Sequence, residues 1–250
     1  MPAFVDLPQL KEPPLVEVLY GLQAITAPTI GREQVRAILE PELPGFKLED
    51  MDQVQVQVRT VEQGRHLHEQ RAEWHGIKAI SADGKRVAHF TREGLFISFL
   101  PPYGGFPECI EEVRRLWVLY TKCFAPQQVA RIGIRYINRL LIPVEDGIIK
   151  FEDHFKLLTL YPVEGPFELH RFHNQFEVSS PEFGIPARVI FTSMKETRTG
   201  LEVILDIESF DDEARRPTDA IIWDRFDLAR KWAYKLFSNT LTEKCFQQFQ

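Results

Sequence analysis

Arg131, Arg135 and Arg139 recur at intervals of four in the stretch "VARIGIRYINRLLIP", Val129 to Pro143. Its mixture of Ile, Val, Leu and Tyr reads as a strand, and in a strand alternate side chains share a face. Arg131, Gly133, Arg135, Ile137 and Arg139 then lie together, opposite Ile132, Ile134, Tyr136, Asn138 and Leu140. Guanidiniums gathered on one face can clamp a phosphate or carboxylate through charge-assisted, bidentate hydrogen bonds, with Gly133 leaving room between the first two. The plainer reading is a solvated sheet face laced with salt bridges.

Two further segments bear on that face. In "GLEVILDIESF", Glu202, Ile204, Asp206 and Glu208 alternate with Leu201, Val203, Leu205 and Ile207, so acid meets base if the two strands share a sheet. Each such cross-strand pair contributes roughly 0.2 to 1 kcal/mol. In "FELHRFHNQFEV", Arg171, His173 and Gln175 extend the polar groove if that strand neighbours the central one. Asp206 and Glu208 have the chemistry of an acid and base pair, but no nucleophile is readable beside them.

Other candidates are weaker. His66 and His68 in "GRHLHEQ" share one side of a strand and, with Glu69, form a fragment of a metal site, whereas a full site needs three or four convergent ligands. The polarity of the segment favours a surface hairpin tip. "PPYGGFPE" places two glycines before a helix N-terminus, an anion-friendly position, yet it reads more simply as a tight turn with Pro107 in the first helical turn. The sequence contains no H-E-x-x-H, G-x-S-x-G or Walker-type glycine loop.

The elements that must position these residues follow from period. "LVEVLYGLQ" is a strand with Val16, Val18, Tyr20 and Leu22 on one side; "TIGREQVRAILEPEL" is a helix with Thr29 as N-cap, ending near Pro41. "MDQVQVQVRTVEQ" sets Val54, Val56 and Val58 against Gln53, Gln55, Gln57 and Arg59, and "WHGIKAIS" and "RVAHFTREGLFISF" supply two or three more strands around an "ADGK" hairpin turn. "FPECIEEVRRLWVLYTKCFA" closes this half as a helix burying Ile110, Val113, Leu116, Trp117 and Tyr120.

The order then begins again: strand "VARIGIRYINRLLIP", helix "FEDHFKLL", strands "FELHRFHNQFEVSS", "ARVIFTSMK" and "GLEVILDIESF", and a C-terminal helix with Ile222, Phe226, Ala229, Trp232, Ala233 and Leu236 or Phe237 inside. Thr218 or Asp219 starts that helix, and Thr240 with Glu243 has capping-box spacing for a short helix after it. The expectation is an α+β fold of tandem β-α-β-β-β-α repeats, residues 1–128 and 129–250, each an antiparallel sheet with helices on one face and the two closely packed. Leu15 and Ala130, and Trp117 and Trp232, mark equivalent positions 115 residues apart.

Composition sets outer bounds. At 44% hydrophobic and 26% charged, 250 residues suffice for a sizeable core, and a formal charge of −6 argues against nucleic acid as the main partner. Cys109, Cys123 and Cys245 lack metal-ligand or disulfide spacing and read as reduced cysteines on helices. "MPAFVDLPQLKEPP" lacks the apolar core of a signal peptide and no run of 18 apolar residues follows, which points to the cytoplasm and to no membrane partner.

"PPLVEV", "RIGIRYINRL", "LDIESF" and the closing "FSNTLTEKCFQQF" together resemble a sporadically distributed family of prokaryotic proteins of about this length, known by sequence profile rather than by an activity. The resemblance implies a bacterial or archaeal cytoplasmic protein and brings no substrate, cofactor or catalytic residue. The residues themselves favour a binding module without catalysis or cofactor, which recognises a small anionic ligand or a partner protein through Arg131, Arg135, Arg139, Arg171, His173, Asp206 and Glu208. An enzyme acting on a phosphorylated or carboxylated small molecule at the same face, through Asp206, Glu208 or His173, is the first alternative. A structural subunit, such as a homodimer, is the second.

Overall fold

Alternating apolar and polar residues dominate the chain, and they fold as one β layer. The computed structural model describes residues 10–26, 31–61, 65–145, 149–157 and 171–249, with backbone only for 54–61 and 65–71. Among these are nine strands, β1 (Leu15–Ile25), β2 (Phe46–Val61), β3 (Arg65–Ser81), β4 (Arg86–Thr91), β5 (Gly94–Phe99), β6 (Gln128–Pro143), β7 (His173–Ser179), β8 (Pro186–Glu196) and β9 (Gly200–Asp211), and four α-helices, α1 (Arg32–Glu42), α2 (Phe106–Phe124), α3 (Ile221–Thr240) and α4 (Glu243–Phe246). The strands join in a single antiparallel sheet of order β2-β3-β4-β5-β1-β6-β9-β8-β7. The two sheets expected from the sequence therefore run together through the β1–β6 pair.

One face of the sheet meets the helices. Val18, Tyr20 and Leu22 of β1, Leu95 and Ile97 of β5, Ile132 and Ile134 of β6 and Val203, Leu205 and Ile207 of β9 are all buried. They meet α2 through Ile110, Val113, Leu116, Trp117 and Tyr120, and α3 through Ile222, Phe226, Ala229, Trp232 and Ala233, the stripes predicted from helical spacing. Helix α1 packs on α2 and β3. Aromatic stacking stiffens this layer: Trp117 lies 5.0 Å from Tyr120, and Tyr120 lies 4.8 Å from Phe124, between ring centroids.

Several local expectations give way to tertiary contacts. Thr29 lies outside the described residues; Gly31 holds the N-cap of α1 without a side-chain bond, and the helix passes through Pro41 to Glu42. Neither Thr218 nor Asp219 caps α3, whose N-cap is Ala220. The cap of α4 is Thr242, not Thr240: its hydroxyl accepts from the Cys245 amide and donates to the Asp153 carbonyl.

In the described part of "FEDHFKLL", residues 151–157, the helical element is a 3-10 turn at Phe151–Asp153. The Lys156 amide bonds to the Thr240 carbonyl, and the Thr242 amide to the His154 carbonyl, so these backbone groups pair with the end of α3 instead of with their own turn. Among the described residues, the first half has five strands and the second four.

Candidate functional site

β6 is a strand along the whole arginine segment, and its faces divide as period two requires. Ile132, Ile134 and Leu140 are buried under the helices, whereas Arg131, Arg135 and Arg139 project from the opposite face, which no described helix covers. Four residues of rise place successive arginines about 13 Å apart. That distance is too long for one small anion to meet all three.

β9 lies beside β6, so the acids do meet the bases. Arg135 is directly opposite Glu208, and Ile137 is opposite Asp206, yet the ion pairs run diagonally. Arg135 donates to both oxygens of Asp206, with Nε to Oδ1 at 2.8 Å. Arg131 donates to Glu208 at 2.9 Å and to Asp212 at 3.1 Å, with its guanidinium 3.6 Å above the centre of the Phe210 ring. The bidentate bond to Asp206 is the main cause that raises the pKa of Arg135. Glu17, opposite Ile137 on β1, adds in the same direction.

Residues not anticipated as part of the site extend this network. Arg188 of β8 lies opposite Glu208, donates to its second oxygen at 3.4 Å, and pairs with Glu177 of β7 at 3.7 Å. A continuous chain of alternating charge, Glu177, Arg188, Glu208, Arg131 and Asp212, thus crosses four neighbouring strands and the loop that follows β9. The parity of "ARVIF", with Arg188 between buried Ala187 and Val189, carried the signal for Arg188. Which strand lay beside β9 was not readable.

The remaining predicted residues are not brought to this cluster. β7 is the sheet's edge, separated from β6 by β8 and β9, so the expected adjacency of its polar face to the central strand does not occur. His173 sits in the row Arg139–Ile204–Thr192–His173, three strands and about 14 Å from β6. Arg171 precedes β7 and is exposed. Arg139 is exposed too, and among the described residues its side chain enters no ion pair. His66 and His68 lie in β3 near its hairpin turn, where side chains are outside the described residues.

Between the charges the open face carries apolar residues. Ile137, Ile204 and Ile190 form a zigzag across β6, β9 and β8, bordered by Leu141 and Met194, which are 52% and 50% exposed. Gly21 and Gly133 face one another across β1 and β6, and the Phe96 ring lies over Gly21, 3.3 Å from where a Cβ would be. Phe210 and Glu208 lie in ordinary van der Waals contact with the corresponding point at Gly133, at 3.5 and 3.6 Å. The space left by the glycines is therefore occupied by protein groups.

A second polar group lies beneath the sheet. The Tyr20 hydroxyl is 3.2 Å from that of Tyr103, and Tyr136, Cys109 and Arg230 are close by. Burial raises all three phenols and pushes the Cys109 thiol up to about 12. Burial also pushes Cys123 up to about 12 and Cys245 to about 11, so these thiols stay protonated at neutral pH and are poor nucleophiles.

Fold and site together define an α+β protein with a single-layer sheet, helical on one side and charge-laced on the other. Comparison with known proteins found no family model, no curated protein and no solved structure that matches the chain. Among the described residues, no helix is long and apolar enough to cross a membrane.

Proposed function

We propose that this chain is a binding module without catalysis, acting in a prokaryotic cytoplasm, whose open sheet face recognises a partner protein. The observation that carries the reading is the composition of that face. The guanidiniums of Arg131 and Arg135 are neutralised by Asp206, Glu208 and Asp212, and isoleucines stand between the ion pairs. A free anion would have to displace Asp206 from a bidentate bond to reach Arg135. A protein surface, by contrast, buries the isoleucine zigzag and leaves the ion pairs intact at its rim, the distribution of apolar core and polar border typical of interfaces.

Internal duplication belongs to the same reading. An odd offset of 115 residues exchanges the faces of a strand, setting Tyr20 against Arg135, so it does not serve β1 and β6. An offset of 116 sets Tyr20 on Tyr136 and Val18 on Ile134. These four pair crosswise, Val18 with Tyr136 and Tyr20 with Ile134, as a local two-fold between β1 and β6 requires. Two copied halves joined in this way give a sheet broad enough to act as a docking platform.

The test is affinity enrichment from the native cell compared across variants. Partners retained by wild type and by Val118→Glu, a control on the exposed side of α2, should be lost with Ile204→Glu. A thermal-shift screen with phosphate, nucleotides and dicarboxylates supplies the opposing outcome. A ligand-dependent rise in melting temperature that Arg135→Ala abolishes would replace the partner reading with that of a small-anion site.

A further inference from the structure

The β2–β3 hairpin reaches well past the rest of the sheet. β3 pairs with β4 only from Gly76 to Ile80, whereas β2 and β3 continue to pair with each other from Asp52↔Trp74 to Val61↔Arg65. Ten residues of rise make this a two-stranded arm about 34 Å long. A lone two-stranded ribbon is marginally stable in water, and an arm of this length is a feature that association with another chain explains.

The outer edge of the arm is the free side of β2 in the described sheet. β2 ends the sheet, and among the described residues its outer backbone groups pair with no strand. Close to the body, α1 shields that edge: Arg32 pairs with Asp50 and Asp52, and Arg36 with Asp50. Beyond Asp52 comes "QVQVQV", Gln53 to Val58, six residues without charge, proline or glycine. Edge strands ordinarily avoid pairing through charges, prolines or bulges, and this one has none of them in that stretch.

We infer that β2 pairs with β2 of a second copy of this chain, antiparallel about a two-fold axis, giving a continuous eighteen-stranded sheet. The sequence favours this occupant because it is self-complementary. Antiparallel pairing centred on Val56 sets Val54 opposite Val58 and Gln55 opposite Gln57, so valine meets valine and amide meets amide across the axis, within an isologous contact made by the same patch of both copies. The β7 edge at the other end of the sheet has no such palindrome, having "HNQFEVS" with charged Glu177. The pairing therefore closes at two copies and does not grow into a filament.

Sedimentation velocity on the full chain across the micromolar range tests the inference. Wild type should sediment as a dimer whose melting temperature rises with protein concentration; Val56→Lys, which places like charges on the axis, should be a monomer that still melts cooperatively but without that concentration dependence. Ile204→Glu, on the open face, should leave the dimer intact, which separates this contact from the proposed partner surface. Amide hydrogen exchange on wild type gives a readout that needs no variant: both inward and outward amides from Gln53 to Val58 should be protected. A monomeric wild type, a polymer, a dimer unaffected by Val56→Lys, or rapid exchange of alternate β2 amides would each overturn it.

Discussion

At the scale of single residues, buried polar groups decide more than exposed ones. Arg135 and Asp206 are joined by two charge-assisted hydrogen bonds, and Asp206 is 5% exposed, so Arg135→Ala leaves a largely buried carboxylate without its donor. A loss of about 2 kcal/mol in denaturant unfolding is expected. Ser209, fully buried on the helix face, has no partner for its hydroxyl among the described residues. Ser209→Ala should therefore raise stability by about 1 kcal/mol, measured in the same way.

His89 is partly buried on the open face, and burial, with Lys78, lowers its pKa; burial and Lys244 lower that of His154. A histidine whose pKa is lower in the folded chain takes up its proton first in the unfolded chain. Stability then falls as pH drops through about 6.5, the unfolded value, and the loss levels off below the folded value. Melting temperature recorded between neutral and mildly acidic pH should show this slope, and the double variant His89→Gln, His154→Gln should flatten it.

At the scale of elements, a close approach and a buried clamp fix how strands meet. Gly94 opens β5 with φ of 150°, and a Cβ there would lie 2.2 Å from the Leu22 carbonyl oxygen of β1. That oxygen and the Gln23 Cα, 2.9 Å from the same point, are backbone atoms and cannot move aside as a side chain does. Gly94→Ala should cost about 3 kcal/mol or more and weaken the β1–β5 pairing, seen as faster amide exchange along Val18 to Gln23.

The loop between β9 and α3 is held by Asp211. Its carboxylate accepts from Arg215, Arg225 and the Glu213 amide, and these bonds outweigh the upward pull of burial to give a lowered pKa. The stabilisation is complete above the usual carboxylate value near 4 and is lost as pH falls through the lower folded value.

At the scale of the whole molecule, the core of the described residues runs across position 128. One cluster of buried residues includes Val18, Leu39 and Ile110 from the first half together with Ile132, Ala187 and Phe226 from the second. Residues 1–128 and 129–250 expressed separately should each fail to give a cooperative melt, while the intact chain unfolds in a single transition by calorimetry. A fragment that melts cooperatively alone would show that the halves are independent domains joined by pairing of β1 and β6.

Local period alone determined a good deal: the arginines of β6 on one side, Glu202, Asp206 and Glu208 on one side of β9, and the buried stripes of α2 and α3. These follow from the rise and twist of a single element, which each segment carries in its own residues. Strand order, the diagonal choice of ion partner, the remoteness of His173 from Arg135 and the fate of "FEDHFKLL" were decided only by the tertiary structure. Each depends on which segment lies alongside another, and hydrogen bonds between distant segments, such as Lys156 with Thr240 and Arg188 with Glu208, leave no trace in the period of either partner.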